Sequence, residues 1–360
     1  MLTLSSGGLR PPAPLPYRPP PASAEWDWDE AIDRHRLELQ AERQRRPEPW
    51  SQATLDAAIE RCVARAVAAQ DPWLDLLDPG RIDEDDPVRA AARRLRGCNL
   101  EAGLDLPVEW IAEAPPPVLM APPELADRRV HRRRWQAAQR WTAKPVKLQL
   151  LGPLSLARGL DDRVYGGDVG AAATALADAL NPALRDLAEA GCPAVEVVEP
   201  CLAVAGAVQD NDLEALARLF HKVPADMFRW LRAVAGDGAA PWQASPASDL
   251  ALLSTLAEDL PLDGVVAEAA AALAEAGPIA RWRRLAVGLL AVPAEARGPD
   301  SAEQAAAWLI EAAGRLEPHR LVAAVDGGGG RATVPLATRM AWLEQARAAV
   351  TGLPERRGSG

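Results

Sequence analysis

The stretch from Ala194 to Leu202 constrains the fold more than any other. It opens as an apolar, β-branched run of strand length, is bounded by Pro193 and Pro200, and carries Glu199 at its end. Just before it, Val169 to Ala190 has helical spacing and is closed by Gly191, a residue type that stops helices. Helix, glycine, short strand and then a carboxylate is the local grammar of an α/β protein. In a closed parallel barrel the C-terminal ends of the strands line the active site. Glu199 is then expected to face that site, with Cys201 close behind. The competing reading makes Glu199 a solvated loop carboxylate.

Reading in order, residues 1–25 are rich in Pro, and the repeated prolines predict an extended arm, neither helix nor sheet. Ser51 is placed to cap a helix to Gln70, with Leu55, Ile59, Val63 and Val67 forming one stripe. Trp73 to Leu77 is a short strand candidate before the turn signal Asp78-Pro79-Gly80. Helices are predicted for Pro87 to Arg96, Glu124 to Trp141, Asp212 to Phe220 and Ala225 to Ala235. Further helices are predicted for Asp249 to Glu258, Ala269 to Ala276, Ser301 to Arg315 and Leu336 to Val350. Strands are predicted for Val146 to Leu151, Gly264 to Ala267 ending on Glu268, Leu285 to Val292 and Leu321 to Val325. Such alternation through the second half indicates a parallel sheet with right-handed crossovers. The domain reading is a Pro-rich and helical extension over 1–50, a barrel over 51–352 and a disordered tail over 353–360.

Length and composition agree. With 360 residues, 49% of them hydrophobic, the chain holds one barrel of about 250 residues plus an extension. A net charge of −10 argues against a general nucleic-acid binder, and the basic run Arg128 to Arg134 reads as a solvated helix face. No stretch approaches the roughly 20 apolar residues of a membrane span. The four cysteines are dispersed without a CxxC pair, and no secretory signal is apparent, so a cytoplasmic, reduced protein is expected.

Several segments together resemble the catalytic barrel of cobalamin-independent methionine synthase. They are Arg134-Trp135-Gln136-Ala137-Ala138-Gln139, Lys144-Pro145-Val146-Lys147 followed by Leu151-Gly152-Pro153, and Leu184 to Gly191 leading to Glu199-Pro200. Asp263 to Glu268 is similar to that family's D-V-I-x-x-E strand, and Pro318 to Gly328 to its segment ending in D-C-G. Weaker echoes lie at Leu4 to Pro11 and Ala66 to Gly80. The resemblance implies an α/β TIM (β/α)8 barrel of the methionine synthase and uroporphyrinogen decarboxylase kind. It also implies a methyl transfer in which zinc lowers a thiol's pKa.

Residue by residue, most of that site is missing. The zinc-binding Glu maps onto Glu268, but the cysteine of D-C-G maps onto Gly327. The H-x-C motif is expected within Ala239 to Ser248, which has no His or Cys; Gln243 and Ser245 are its nearest polar candidates. The substrate-binding Asp maps onto Val198, leaving Glu199. A set of Cys201, Glu199, Glu268 and one His would have to converge within a little over 2 Å of one ion to rebuild the site, so no metal ligand is assigned and zinc stays only a possibility. Glu199 and Glu268 remain as catalytic candidates. Cys201, Trp242, Gln243, Ser245, Asp326, Gly327 and Gly328 remain as substrate-binding candidates: Trp242 for stacking on a pterin-like ring, the glycine loop for holding an anion through its N–H groups. Two functions follow. One is a methyltransferase acting on a thiol or related small molecule such as a folate; the other is a non-catalytic small-molecule-binding or regulatory barrel.

Overall fold

The computed structural model describes residues 2–6, 52–79, 86–100, 116–203, 210–232, 260–268, 286–292, 302–316, 320–326 and 336–351. The strands are β1 (Leu2–Ser6), β2 (Leu95–Asn99), β3 (Val118–Leu125), β4 (Leu148–Leu151), β5 (Asp161–Asp162), β6 (Ala194–Val198), β7 (Phe228–Arg232), β8 (Gly264–Glu268), β9 (Ala286–Val292) and β10 (Leu321–Asp326). The helices are α1 (Gln52–Gln70), α2 (Pro87–Ala92), α3 (Val130–Gln139), α4 (Pro153–Gly159), α5 (Val169–Glu189), α6 (Asp210–Leu219), α7 (Ala302–Arg315) and α8 (Leu336–Thr351).

Seven strands form one parallel sheet in the order β1-β10-β9-β8-β7-β6-β4. An eighth position is held by Leu77, bridged in parallel to Val146 just before β4. Leu76 packs in one cluster with Val322 and Ala324 of β10, and Arg347 of α8 reaches Asp75 at 3.7 Å. The result is a TIM barrel. A small second sheet, β2-β3-β5, stands beside it.

The period of each element sets the layering. On α5 the buried residues Ala172, Ala173, Leu176, Ala177, Leu180, Ala183, Leu184 and Leu187 recur at three- and four-residue spacing and face the sheet. Asp168 caps its start by accepting from the Ala171 amide at 3.0 Å, and Gly191, at φ 88°, ends it. Inside the ring, alternate residues of successive strands make a separate apolar cluster of Leu76, Ala194, Trp230, Val266, Val322 and Ala324.

Gly264 is what admits Trp230 to that interior. A Cβ at Gly264 would stand 2.3 Å from the indole Cζ3. Gly264→Ala is therefore expected to destabilise the barrel by about 1–3 kcal/mol through overpacking, read as a lower urea midpoint. An unchanged midpoint would mean that Trp230 has another rotamer available.

Between α5 and α6, the Asn181 Nδ2 donates to the carbonyls of Arg218, Leu219 and His221 at 3.3, 2.9 and 2.8 Å. It serves the last carbonyls of α6, which no glycine follows. Asn181→Ala is expected to cost about 1 kcal/mol, measured by thermal melting; because these carbonyls lie near solvent, the loss stays small.

The structure corrects several sequence expectations. Ala225 to Ala235, expected as helix, contains the strand β7, because pairing to β6 and β8 on both edges outweighs the helix preference of its neighbours. The N-terminal segment, expected to stay out of any sheet, places Leu2–Ser6 beside β10; the prolines begin only at Pro11. Leu95–Asn99 and Val118–Leu125 form a hairpin that the sequence did not announce, so helix α2 stops at Ala92 and α3 starts at Val130. Trp73 to Leu77 contributes a single bridge in place of a regular strand. The expected helices at Asp249 to Glu258 and Ala269 to Ala276, most of the N-terminal extension and the C-terminal tail lie outside the described residues.

Candidate active site at the C-terminal mouth of the barrel

The segment before β4 shows why its motif has the composition it does. The Trp135 Nε1 donates to the Val146 carbonyl at 3.0 Å. The Gln139 side chain donates to the Thr142 and Lys144 carbonyls at 3.2 and 2.9 Å and accepts from the Val146 amide at 3.1 Å. The Lys144 ammonium donates to the Asp71 and Leu74 carbonyls. Trp135, Gln139 and Lys144 thus fix the entry of β4 and with it the register that sends Lys147 and Gln149 into the lumen.

There they meet β6. Gln149 is in register with Glu196, and Glu196 with Trp230. The Lys147 ammonium donates to Glu196 Oε2, and the Gln149 amide donates to Glu196 Oε1 at 2.8 Å. Arg232, the last residue of β7, stands 3.8 Å from that same oxygen. Lys147, Gln149, Glu196 and Arg232 are all buried. The Gln149 Oε1 has no hydrogen-bond partner among the described residues. A charged network inside a barrel lumen, where apolar layers are the rule, marks a built site. Only its position on an apolar-looking strand hid Glu196 from the sequence reading.

Next to the Leu77 bridge, the fully buried Gln70 holds the chain at Asp78. Its Nε2 donates to the Asp78 carbonyl at 2.8 Å, and its Oε1 accepts from the Asp78 amide at 3.0 Å. This fixes the buried Asp78 at the end of the segment.

Glu199 follows β6 directly, and its amide donates to the Arg232 carbonyl at 2.8 Å. Its carboxylate does not open onto the mouth. Oε1 accepts from the Leu154 amide at 2.9 Å and Oε2 from the Ser155 amide at 2.7 Å. These are the first free N–H groups of α4, which has Pro153 in its first turn and no side-chain cap of its own. Gly152 leaves the room: a Cβ there would lie 2.0 Å from Glu199 Oε1. Burial pushes the Glu199 carboxyl up to about 7, against the lowering effect of the hydrogen bonds from Ser155, Leu154 and Cys201. The sequence expectation of a site-facing carboxylate is thereby corrected: Glu199 fastens α4 to the strand. Cys201 is buried behind it, its Sγ 3.7 Å from Glu199 Oε2. Burial raises the thiols of Cys62 and Cys98 to about 11 and that of Cys192 to about 12, which keeps them protonated and unreactive.

Glu268 ends β8 and Asp326 ends β10. The strands are parallel, so both residues sit at the same end of the ring as Glu199. Trp242, Gln243, Ser245, Gly327 and Gly328 lie outside the described residues, as do His35 and His319. His131 is buried on α3, and His221 follows α6, away from the strand ends.

The zinc that the resemblance implies does not fit this donor set. Among the described residues no three His, Cys, Asp or Glu side chains come together as a metal site. Ala239 to Ser248, where the resemblance places the H-x-C motif, lies outside the described residues; the strand between the Glu199 and Glu268 strands is β7. It offers Trp230 and Arg232 to the lumen, an indole and a cation. No described helix is long and apolar enough to cross a membrane.

Comparison with known proteins places this geometry. The sequence matches no protein-family model and no curated protein. Among solved structures, a B12-independent methionine synthase from Shewanella, in complex with selenomethionine, is similar with a TM-score of 0.70 at 17% identity, over 98% of this chain and 97% of that one. A putative vitamin-B12-independent methionine synthase from Listeria monocytogenes is similar with a TM-score of 0.61 at 15% identity, over 89% and 94% of the two chains. A methyltransferase from Methanosarcina mazei follows with a TM-score of 0.51 at 14% identity, over 81% and 85%. The likeness to the first two runs over most of both chains, and the chain thus has the barrel fold of the cobalamin-independent methionine synthases.

Proposed function

We propose that the chain is a small-molecule methyltransferase acting on a thiol or a related compound, with a degenerate site in place of the zinc centre. One observation carries this reading: the likeness runs over nearly the whole of both chains, and Glu268 and Asp326 close their strands at the mouth where a substrate would enter. The Shewanella structure holds selenomethionine, so a barrel of this outline takes a compact amino acid with a chalcogen side chain. The enzyme acts in the cytoplasm, without nucleic acid or membrane.

The test is direct. The full chain is incubated with methyl-folate or another methyl donor and a panel of small thiols, homocysteine among them, and products are read by mass spectrometry. An S-methylated product that falls at least about tenfold in Glu268→Gln supports the reading. No product with any pair overturns it in favour of a non-catalytic binding barrel. That second reading draws on the commitment of both Glu199 oxygens to α4, and it expects a ligand that raises the melting temperature but is never turned over.

A further inference from the structure

We propose that the side-chain carbonyl of Gln149 is a ligand-binding group, and that it accepts from a hydroxyl or amino group at the far end of a short-chain substrate in the barrel lumen. The inference deepens the methyltransferase reading and rests on it for the choice of thiols as probes.

The orientation of the amide is the first support. Gln149 and Glu196 are in register on β4 and β6, and the Gln149 Nε2 donates to Glu196 Oε1 at 2.8 Å. The Lys147 ammonium donates to the other oxygen of the same carboxylate. A carboxylate offers acceptors only. Turning the amide over would set its oxygen against a carboxylate oxygen, so Oε1 is fixed on the side away from Glu196.

The second support is that this fixed acceptor has nothing to accept from. Gln149 is only 2% exposed, and its Oε1 has no hydrogen-bond partner among the described residues. A buried amide oxygen without a donor destabilises the fold that contains it. An apolar side chain, the usual filling of a barrel interior, would avoid that loss. Gln149 therefore reads as a group kept for the donor of a ligand.

The surroundings set the shape of that ligand. Two residues further along the same strands, Leu151 is in register with Val198, and both are buried. Strand alternation returns them to the side of Gln149 and Glu196, one step nearer the C-terminal mouth. An apolar step above a polar floor suits an alkyl stem that ends in one donor. Lys147, Gln149 and Glu196 are all buried, so little water is present to replace a hydrogen bond that the ligand fails to make.

The experiment titrates the full chain calorimetrically, under reducing conditions, with three thiols built on one propyl stem: 3-mercaptopropan-1-ol, 3-aminopropane-1-thiol and 3-methoxypropane-1-thiol. The methyl ether keeps the stem and the oxygen but has no donor at that end. We expect the alcohol or the amine to bind at least about tenfold tighter than the ether, the difference between a satisfied and an unsatisfied buried acceptor. Whichever of the two binds tighter tells a hydroxyl from an ammonium. Gln149→Met should bring all three within about threefold of one another. Equal binding of the ether and the other two by the unmodified chain overturns the proposal. Binding of none of the three, or a preference that survives in Gln149→Met, does the same. If Gln149→Met does not fold, the contrast in the unmodified chain still decides. None of these readouts needs turnover. A chain that prefers a donor-bearing thiol but methylates nothing refutes only the catalytic reading, and one that methylates thiols without regard to the donor refutes only this inference.

Discussion

Glu196→Gln is expected to destabilise the barrel by about 3–5 kcal/mol, the cost of leaving buried charge without its counter-charge. Glu196 is fully buried, and its carboxylate faces Lys147, Gln149 and Arg232 in the lumen. Removing its charge leaves two cations with their principal described counter-ion gone. Lys147→Met is expected to cost less, because Arg232 and Gln149 still serve the remaining carboxylate. In the double variant Lys147→Met, Glu196→Leu the buried pair is replaced by apolar side chains of similar size. Its cost should fall well short of the sum of the single losses, since the desolvation penalties of both ions disappear together. Urea unfolding of the unmodified chain, of Lys147→Met, of Glu196→Leu and of the double variant measures the cycle. Additive losses would mean that the two side chains do not interact, and the geometry of the lumen would have to be wrong.

This network also shows where sequence reading reaches and where it stops. The strands at Ala194, Gly264, Ala286 and Leu321 were legible because short, β-branched or apolar runs follow glycine or proline signals, and a parallel strand buried on both faces leaves that trace. β7 was not. Phe228-Arg229-Trp230-Leu231-Arg232 has charged residues and no β-branched one, and only its partners on both sides make it a strand. The same holds for the site. Glu199 was legible as a carboxylate at a strand end, but its partners, the Leu154 and Ser155 amides, lie more than forty residues back, and periodicity carries no information about them. Glu196 is the reverse case: it sat inside a run read as apolar, and its lumen position follows from alternation once the strand is paired. The absence of a His or Cys for zinc was visible in the sequence, yet that an arginine occupies the intervening strand could be seen only after β7 was recognised as one.

Glu199 gives the barrel a stability that depends on pH with an unusual sign. Burial holds its carboxyl at about 7 in the folded chain, above its ordinary value of 4.5. The folded state therefore keeps a proton that the unfolded state releases between those two values. Its stabilising contribution is complete below about pH 4.5 and is lost as the pH rises through about 7. A shift of this size corresponds to about 3 kcal/mol. Partly exposed carboxylates such as Asp127 and Asp162, whose hydrogen bonds hold them below the usual range, act in the opposite direction, so the effect has to be read as a difference. In Glu199→Gln the amide oxygen can still accept from one amide of α4, while its NH2 faces the other, and the group no longer titrates. The unmodified chain should exceed this variant in stability most at pH 5 and lose that advantage by about 2.5 kcal/mol on going to pH 8. Denaturant unfolding of both proteins across that range measures it. An advantage that grows with pH would show a carboxylate ionised and stabilised by the N-terminus of α4, and would reverse the assignment of its protonation state.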